Sequence, residues 1–405
     1  MRRRVLLVAS KTGYQVREFY GAAERLGIDL VLATDRCHVL DDPWGDRASP
    51  LRFDADVPEL EQAISELGSR GPFDGIVAVG DRPACIAALC AEQFGLRFHP
   101  SHAARAATDK YQTRERFRAA GMNVPQYRLM GPDAGSEAPS FPCVLKPLNL
   151  SGSRGVIRAD SPSEFAAAEA RIRRMVGPDA NLMAEEFIPG REFALEGIVT
   201  DGNLQTLAIF DKPDPLDGPF FEETIYTTSS REPQAVQGAI EQAVQQAVTA
   251  LGLASGPVHA EMRVNARGVW TLEAAPRPIG GLCSRVLRFN GRLGLEDVLL
   301  LHALGEHLSN LSLATGAHGV MMVPIPARGI YYAVDGLERA REIADVESVE
   351  ITAKQGQLFE PLPEGASYLG FLFARAPEIH AVETALRRAY ECLHFHVNPA
   401  LPVSR

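Results

Sequence analysis

The sequence predicts a multidomain chain of mixed α/β and α+β class, and three observations carry that expectation. Its 405 residues exceed one ordinary domain and suit roughly two to four compact units. The first hundred residues alternate apolar strands with helices, the pattern of a parallel sheet covered on both faces. After residue 103 the order changes to a small α+β unit, a strand-dominated stretch with one long helix, and a closing α+β subdomain. The expected units are 1–102, 103–190, 191–315 and 316–405.

In chain order, Arg4–Ala9 reads as a buried strand, Val16–Gly27 as an amphipathic helix and Leu30–Thr34 as the next strand. Phe73–Val79 and the helix Pro83–Gly95 continue the pattern, giving a Rossmann-like N-terminal domain. Loops at the C-terminal ends of such strands usually carry ligands, here Ser10–Gly13, Asp35–His38 and Gly80–Arg82. Turn chemistry accounts for their glycines and charges equally well. No G-x-G-x-x-G follows the first strand, so the dinucleotide fingerprint is absent. One helix is expected over Ala103–Ala120, stopped by the C-cap glycine Gly121, with a linker marked by Pro125 and Gly131–Pro142. The strands Cys143–Lys146, Val156–Ala159 and Leu182–Ile188 and the helix Pro162–Val176 complete the small unit. Strands dominate from Phe193 to Phe221, then come the helix Gln234–Gly252 and two strands flanking a short loop near Arg267. Alternating segments from His318 and the helix Ile379–Leu393 close the chain.

Composition narrows the function. Hydrophobic residues make up 46% and charged ones 23%, as in an average soluble protein, and no apolar run is long enough to cross a bilayer. The opening Met1-Arg2-Arg3-Arg4 has the charge of a signal peptide, but the apolar run that follows ends at Ser10-Lys11, as a first buried strand would. A formal charge of −10 disfavours nucleic acid and anionic membranes as partners. Six cysteines at 37, 85, 90, 143, 283 and 392 show neither C-x-x-C nor metal spacing, which predicts a reducing cytoplasm and no disulfides.

Three segments carry chemistry. Lys146 ends an apolar strand and precedes Ser151-Gly152-Ser153-Arg154-Gly155-Val156. Glycines let a backbone approach an anion, N–H groups and hydroxyls make a donor nest, and a lysine adds charge for phosphate. A hairpin loop with a snorkelling lysine explains the same residues. It is not a Walker loop, since G-x-x-x-x-G-K-[ST] is nowhere in the chain.

The second segment is Pro257 to Ala275, two strand-like arms around Gly268, which suits a three-residue hairpin loop. With Asn265 paired to Val269, Glu261 lies opposite Glu273 on one face. Two unit charges about 5 Å apart repel by roughly 3 kcal/mol at an effective dielectric near 20. A bound Mg²⁺ would remove that repulsion, whereas splayed solvated side chains or one protonated carboxyl would also relieve it. Beyond the hairpin, Pro276 and Pro278 hold Arg277 in a rigid loop before Gly280-Gly281. Guanidinium there suits bidentate binding of carboxylate or phosphate, and the glycines permit close approach by a ligand.

These elements in this order resemble the ATP-grasp superfamily, strongly over Ala103 to Gly281 and more loosely at both flanks. The resemblance implies a two-lobe ATP-grasp fold between the Rossmann-like domain and the C-terminal α+β subdomain. It implies ATP and Mg²⁺ as cofactors, with Mn²⁺ an alternative. Lys110 and Lys146 look like the two nucleotide lysines, and Ser151–Val156 like the glycine-rich loop that closes over the phosphates. Glu185-Glu186-Phe187-Ile188-Pro189-Gly190-Arg191-Glu192 is similar to the adenosine hinge. By that match Glu185 and the backbone of Glu186 and Ile188 meet adenine, and Glu192 takes the ribose hydroxyls. Glu261 and Glu273 match the metal-binding acids, and Arg277 the arginine that steadies the acyl-phosphate and the tetrahedral intermediate, with backbone donors near Gly280 and Gly281 beside it. Lys212 is a further phosphate contact or a turn lysine.

Many members carry Asn two residues after the second acid, where this chain has Ala275; amino-acid and dipeptide ligases tolerate the change. Their E-T-x-H-like run resembles Glu223-Thr224-Ile225-Tyr226, in which Glu223 would bind a substrate amine and Tyr226 replaces His. Leu362–Ala374 also looks like that branch. The resemblance thus implies a ligase that joins a small carboxylate to an amine through an acyl-phosphate, with homodimers common in the superfamily. Purine-synthesis or carboxylase-type ATP-grasp enzymes, and a nucleotide-binding regulator without chemistry, are the competing expectations. His259 is read as a core histidine that could also line the site; His394 and His396 share a strand face without a third ligand.

Overall fold

In the computed structural model, which describes residues 2–10, 14–35, 48–53, 57–132, 140–365 and 367–400, the chain opens as a strand-helix alternation. The elements are β1 (Arg4–Ala9), α1 (Tyr14–Leu26), β2 (Asp29–Thr34), β3 (Ala48–Pro50), α2 (Val57–Gly68), β4 (Gly75–Val79) and α3 (Asp81–Phe94). The strands form a parallel sheet in the order β3-β2-β1-β4. Because side chains alternate along a strand, Val5, Leu7 and Ala9 enter one core and Leu6 and Val8 another. That double burial is why β1 reads as an unbroken apolar run. Residues 11–13 and 36–38 of two expected ligand loops, Cys37, and residues 133–139 of the expected linker lie outside the described residues.

The single helix expected over Ala103–Ala120 is two, α4 (Ser101–Thr108) and α5 (Lys110–Ala119). Asp109 is extended, and its side chain accepts the Gln112 N–H as the N-cap of α5. Aspartate is a poor interior helix residue and a strong N-cap, so the break falls there. Lys110 is thereby the first residue of α5. Next come β5 (Tyr127–Met130), β6 (Cys143–Pro147), β7 (Ile157–Ala159), α6 (Pro162–Val176) and β8 (Leu182–Glu186). They make an antiparallel sheet, β5-β8-β6-β7, with Phe165, Ala168 and Ile172 of α6 packed on it. β5 sits between Pro125 and Gly131, the two positions read as linker.

The remaining elements build the largest sheet. They are β9 (Arg191–Thr200), β10 (Asn203–Lys212), β11 (Ile225–Thr228), α7 (Gln234–Leu251), β12 (Gly256–Asn265), β13 (Gly268–Ala275), β14 (Arg288–Phe289), β15 (Leu293–Gly294) and α8 (Leu295–Ala303). The chain continues through β16 (Ala317–Val323), β17 (Gly329–Asp335), α9 (Leu337–Arg341), β18 (Val346–Ile351), β19 (Leu358–Phe359), β20 (Gly370–Ala376), α10 (Ile379–Glu391) and β21 (His394–Pro399). Eight strands pair antiparallel in the order β13-β12-β9-β10-β11-β16-β20-β18. Because β16, β20 and β18 extend the sheet begun by β9–β13, the last two expected units share it. β19-β17-β21 form a smaller sheet beside it.

α8 seats the N-terminal domain on this sheet. It is buried almost all round, and Val5, Phe19, Leu299, Ala194 and Phe371 belong to one core. Gly75 is required there, since a Cβ would lie 2.7 Å from the Ala303 carbonyl oxygen. Asp81 at the start of α3 meets Arg277 just beyond β13. Among the described residues no helix is long and apolar enough to cross a membrane.

Candidate active site

Glu261 does lie directly opposite Glu273, but not by the expected route. Asn265 pairs with Gly268, so Ala266 and Arg267 form a two-residue loop, and Gly268 adopts φ +116. That register alone would set Glu261 opposite Leu272 and turn the two acids to opposite faces. A β-bulge at Leu272 inserts the extra residue and restores the pairing. Both carboxylates line a cavity of about 330 Å³, within the range of small-ligand sites.

Each acid has its own cations. Glu261 meets Lys212 Nζ at 3.1 Å and His259 Nε2 at 3.5 Å; Glu273 meets Arg277 Nη2 at 3.5 Å. Burial opposes ionisation of Glu261, yet Lys212 and His259 hold its carboxyl well below the usual range. Their repulsion is thus offset by neighbours. As hard oxygen donors facing one cavity, the pair suits a small divalent cation such as Mg²⁺.

Arg277 donates to Asp81 Oδ1 at 2.6 Å, at the first residue of α3, so the Gly80–Arg82 loop does reach the cavity. Lys110 and Lys146 line the same cavity, and Lys110 also shares a small pocket with Asp81 and Glu273. Lys110 Nζ donates to the Leu150 carbonyl at 2.5 Å. Lys146 is ion-paired with Glu185, whose carboxylate also takes Arg114 Nε at 3.0 Å and Nη2 at 3.3 Å. Burial, opposed by Glu185, brings the Lys146 ammonium down to about 8. The Glu185 carboxylate is therefore tied to two cations, while Glu186, Phe187 and Ile188 line the cavity beside it.

Two expectations change. Lys212 is not on the cavity wall: its ammonium bonds Glu192 at 3.0 Å, Glu223 at 2.5 Å and Glu261 at 3.1 Å. Those three bonds use all three of its protons, leaving none for a phosphate. The three carboxylates have the spacing of a metal cluster, and the ammonium answers their charge. In the glycine-rich stretch, Ser151, Gly152 and Ser153 line the cavity, whereas Arg154 and Gly155 turn away. Arg154 Nε donates to the Glu364 carbonyl at 3.0 Å and the Gly155 N–H to the Pro363 carbonyl at 2.9 Å.

Glu192 lines the cavity and accepts from Arg263 Nε at 2.9 Å. Glu223 and Tyr226 line it as well, with Lys212 Nζ 4.9 Å from the centre of the Tyr226 ring. Burial, opposed by Lys212 and assisted by Glu261, raises the Glu223 carboxyl to about 7. Gly280 and Gly281 border the cavity after Arg277. His259 is buried and also lines it: its Nδ1 pairs with Glu196, which outweighs burial and sets the imidazole at about 9. His394 and His396 stand on β21, where His396 pairs with Asp335 at 2.8 Å.

Sequence reasoning did not single out Arg114, Glu196 or Arg263, and it reached Asp81 only as part of the Gly80–Arg82 loop. Local periodicity held signals for three of them. Arg114 is one helical turn from Lys110, Glu196 shares a strand face with Glu192, and Arg263 shares one with Glu261.

Comparison with known proteins finds three domain matches along the chain. The ATP-grasp domain family matches residues 139–286, the ATP-grasp N-terminal domain 20–97, and the L-amino acid ligase C-terminal domain 2 residues 321–398. The crystal structure of L-amino acid ligase from Bacillus licheniformis is similar with a TM-score of 0.85 and 25% identity, covering 98% of this chain and 99% of that one. The uncharacterized protein y4rH of Sinorhizobium fredii is 25% identical over 98% of this chain and 84% of its own length. A D-alanine–D-alanine ligase of Aromatoleum aromaticum is 29% identical over 36% of this chain, which spans 48% of that relative. With three domain matches in family order around one cavity, the chain belongs to the ATP-grasp superfamily and resembles its amino-acid and dipeptide ligase branch.

Proposed function

We propose that this chain is an ATP-dependent carboxylate–amine ligase that forms an amide or peptide bond between amino-acid-like substrates, releasing ADP and phosphate. The observation that carries this is the opposed pair Glu261 and Glu273, with Arg277 at one side and Lys110 and Lys146 on the same cavity. Lys110 and Lys146 would meet the phosphates under Ser151, Gly152 and Ser153, and Glu185 would aim Lys146 rather than touch adenine. The backbone of Glu186 and Ile188 would face the base, and Glu192 the ribose. Glu261 and Glu273 would hold Mg²⁺, or Mn²⁺, which when bound neutralises charge on the phosphates.

The carboxylate oxygen attacks the γ-phosphorus, giving an acyl-phosphate and ADP; the amine then attacks the acyl carbon and phosphate leaves. The protein supplies position and charge for both steps. Arg277 and backbone donors at Gly280 and Gly281 face the oxyanion that forms in the second. Glu223 is the candidate partner of the substrate amine. The match to the ligase C-terminal domain supports this branch over purine-synthesis or carboxylase types. The chain would work in the cytoplasm as units 1–102, 103–190, 191–315 and 316–405, the last two on one sheet. Release of ADP measured against pairs of amino acids tests the proposal, with Lys146→Ala and Glu273→Ala as controls that retain the parent circular-dichroism spectrum. Both should abolish release; full turnover by both would sink it.

A further inference from the structure

One wall of the cavity differs from the rest. Tyr226, Ile279, Cys283, Met322 and Tyr368 line it. Four of them belong to the core shared by the N-terminal domain and the large sheet, and Tyr368 packs against that core. Strand register groups them. Tyr226 lies opposite Val320, and Met322, two residues on, lies opposite Phe371, so Tyr226, Met322 and Phe371 share one face. The Tyr368 ring meets Phe371 edge-on with centroids 5.9 Å apart. Gly281, at φ +66, lets its loop lie on this surface, since a Cβ would come within 2.9 Å of the Phe371 ring. Gly280, exposed at the rim of the cavity, would meet nothing within 4 Å if it carried a Cβ.

Val144, Phe187, Ile188 and Leu272 also line the cavity, on the side proposed for the base. The wall borders Glu223, whose neighbours Thr224 and Ile225 lead straight into Tyr226 on β11. We infer that this wall is the side-chain pocket of the amino-acid substrate and selects an apolar side chain, its amine at Glu223. The inference rests on the ligase proposal and adds the substrate class. An Asp or Lys side chain pressed against the wall would be desolvated with few partners, whereas Leu, Met or Phe would bury apolar surface.

The test is amino-acid-dependent ADP release by the full chain with MgATP, comparing Leu, Met and Phe with Gly, Asp and Lys. We expect kcat/KM for the apolar group to exceed that for Asp and Lys by about tenfold to a hundredfold. Met322→Lys should narrow that gap at least tenfold and favour Asp over Leu relative to the parent. Tyr368→Ala is the second variant should Met322→Lys not fold, with ATP titration as the check of folding; it should lower the rate with Phe more than with Gly. Release that depends on amino acids but favours Asp or Lys, or a ranking unchanged in folded variants, would overturn the pocket and leave the ligase proposal standing. No dependence on any amino acid would overturn both.

Discussion

Arg277 donates from Nε to Asp81 Oδ1 at 2.6 Å, joining the loop after the β12–β13 hairpin to the start of α3. The same guanidinium reaches Glu273 at 3.5 Å, so Asp81 fixes the orientation of a cation placed between the acids and the N-terminal domain. Asp81→Asn keeps the volume and removes the charge. Misplacement by about 1 Å costs on the order of a hundredfold in rate, so kcat should fall about tenfold to a hundredfold. ATP affinity should change by less than about threefold, because Lys110 and Lys146 stay in place. Asp81→Glu should recover part of the loss. A variant that keeps full kcat, or loses ATP binding in step with rate, would show that Asp81 does not act through Arg277.

Lys146 gives a prediction in pH. Burial lowers its ammonium to about 8, with Glu185 opposing, so the ligand-free protein carries this charge below that pH and loses it above. If the charge meets phosphate, kcat/KM for ATP should be level below about pH 8 and fall as pH rises beyond it. Arginine stays protonated throughout, so Lys146→Arg should remove this bend even at a lower absolute rate. The profile of kcat/KM is the right readout, because it reports groups of the free enzyme. An unchanged bend in Lys146→Arg would assign it elsewhere.

What could be read in advance followed local periodicity. The apolar run of β1, the helical stretch of α6 and the arms around Gly268 are local signals, and the elements stand where they predicted. The opposition of Glu261 and Glu273 was legible, yet the two-residue loop and the bulge that together produce it were not, because a bulge leaves no mark in polarity. The break at Asp109 was written in a single capping residue inside a helical pattern. α8 escaped because it is buried almost all round and so has no amphipathic stripe. Lys212 and Asp81 show the deeper limit: the partners that use up one and engage the other come from distant strands and loops.

The opposed acids predict a dependence of stability on nucleotide. Lys212, His259 and Arg277 offset their repulsion of roughly 3 kcal/mol in the protein alone. Glu273→Gln should therefore shift the unliganded protein by no more than about 1 kcal/mol, the ordinary scale of a part-exposed pair. With MgATP the case reverses. A ligand at about a hundred times its Kd stabilises by roughly 2.7 kcal/mol, and the variant should lose most of that increment. Thermal melts of parent and variant, each with EDTA, Mg²⁺ alone and MgATP, measure it. Equal MgATP stabilisation in both would remove Glu273 from the metal site.

Glu364 ties the glycine-rich stretch Ser151–Val156 to the C-terminal part of the chain. Arg171 on α6 makes a two-pronged contact with its carboxylate at 2.7 and 2.8 Å, while its carbonyl takes Arg154 and the neighbouring Pro363 takes Gly155. The pair is about one-third exposed, so breaking it should cost less than about 1 kcal/mol of stability. Its effect should lie in closure. A loop held down excludes water from an acyl-phosphate, and a looser one admits it. Arg171→Gln should leave ADP release within about threefold of the parent while lowering the amide formed per ADP severalfold, the difference appearing as free phosphate and recovered carboxylate. Amide per ADP equal to the parent's would mean that the loop closes without Glu364, through the nucleotide alone.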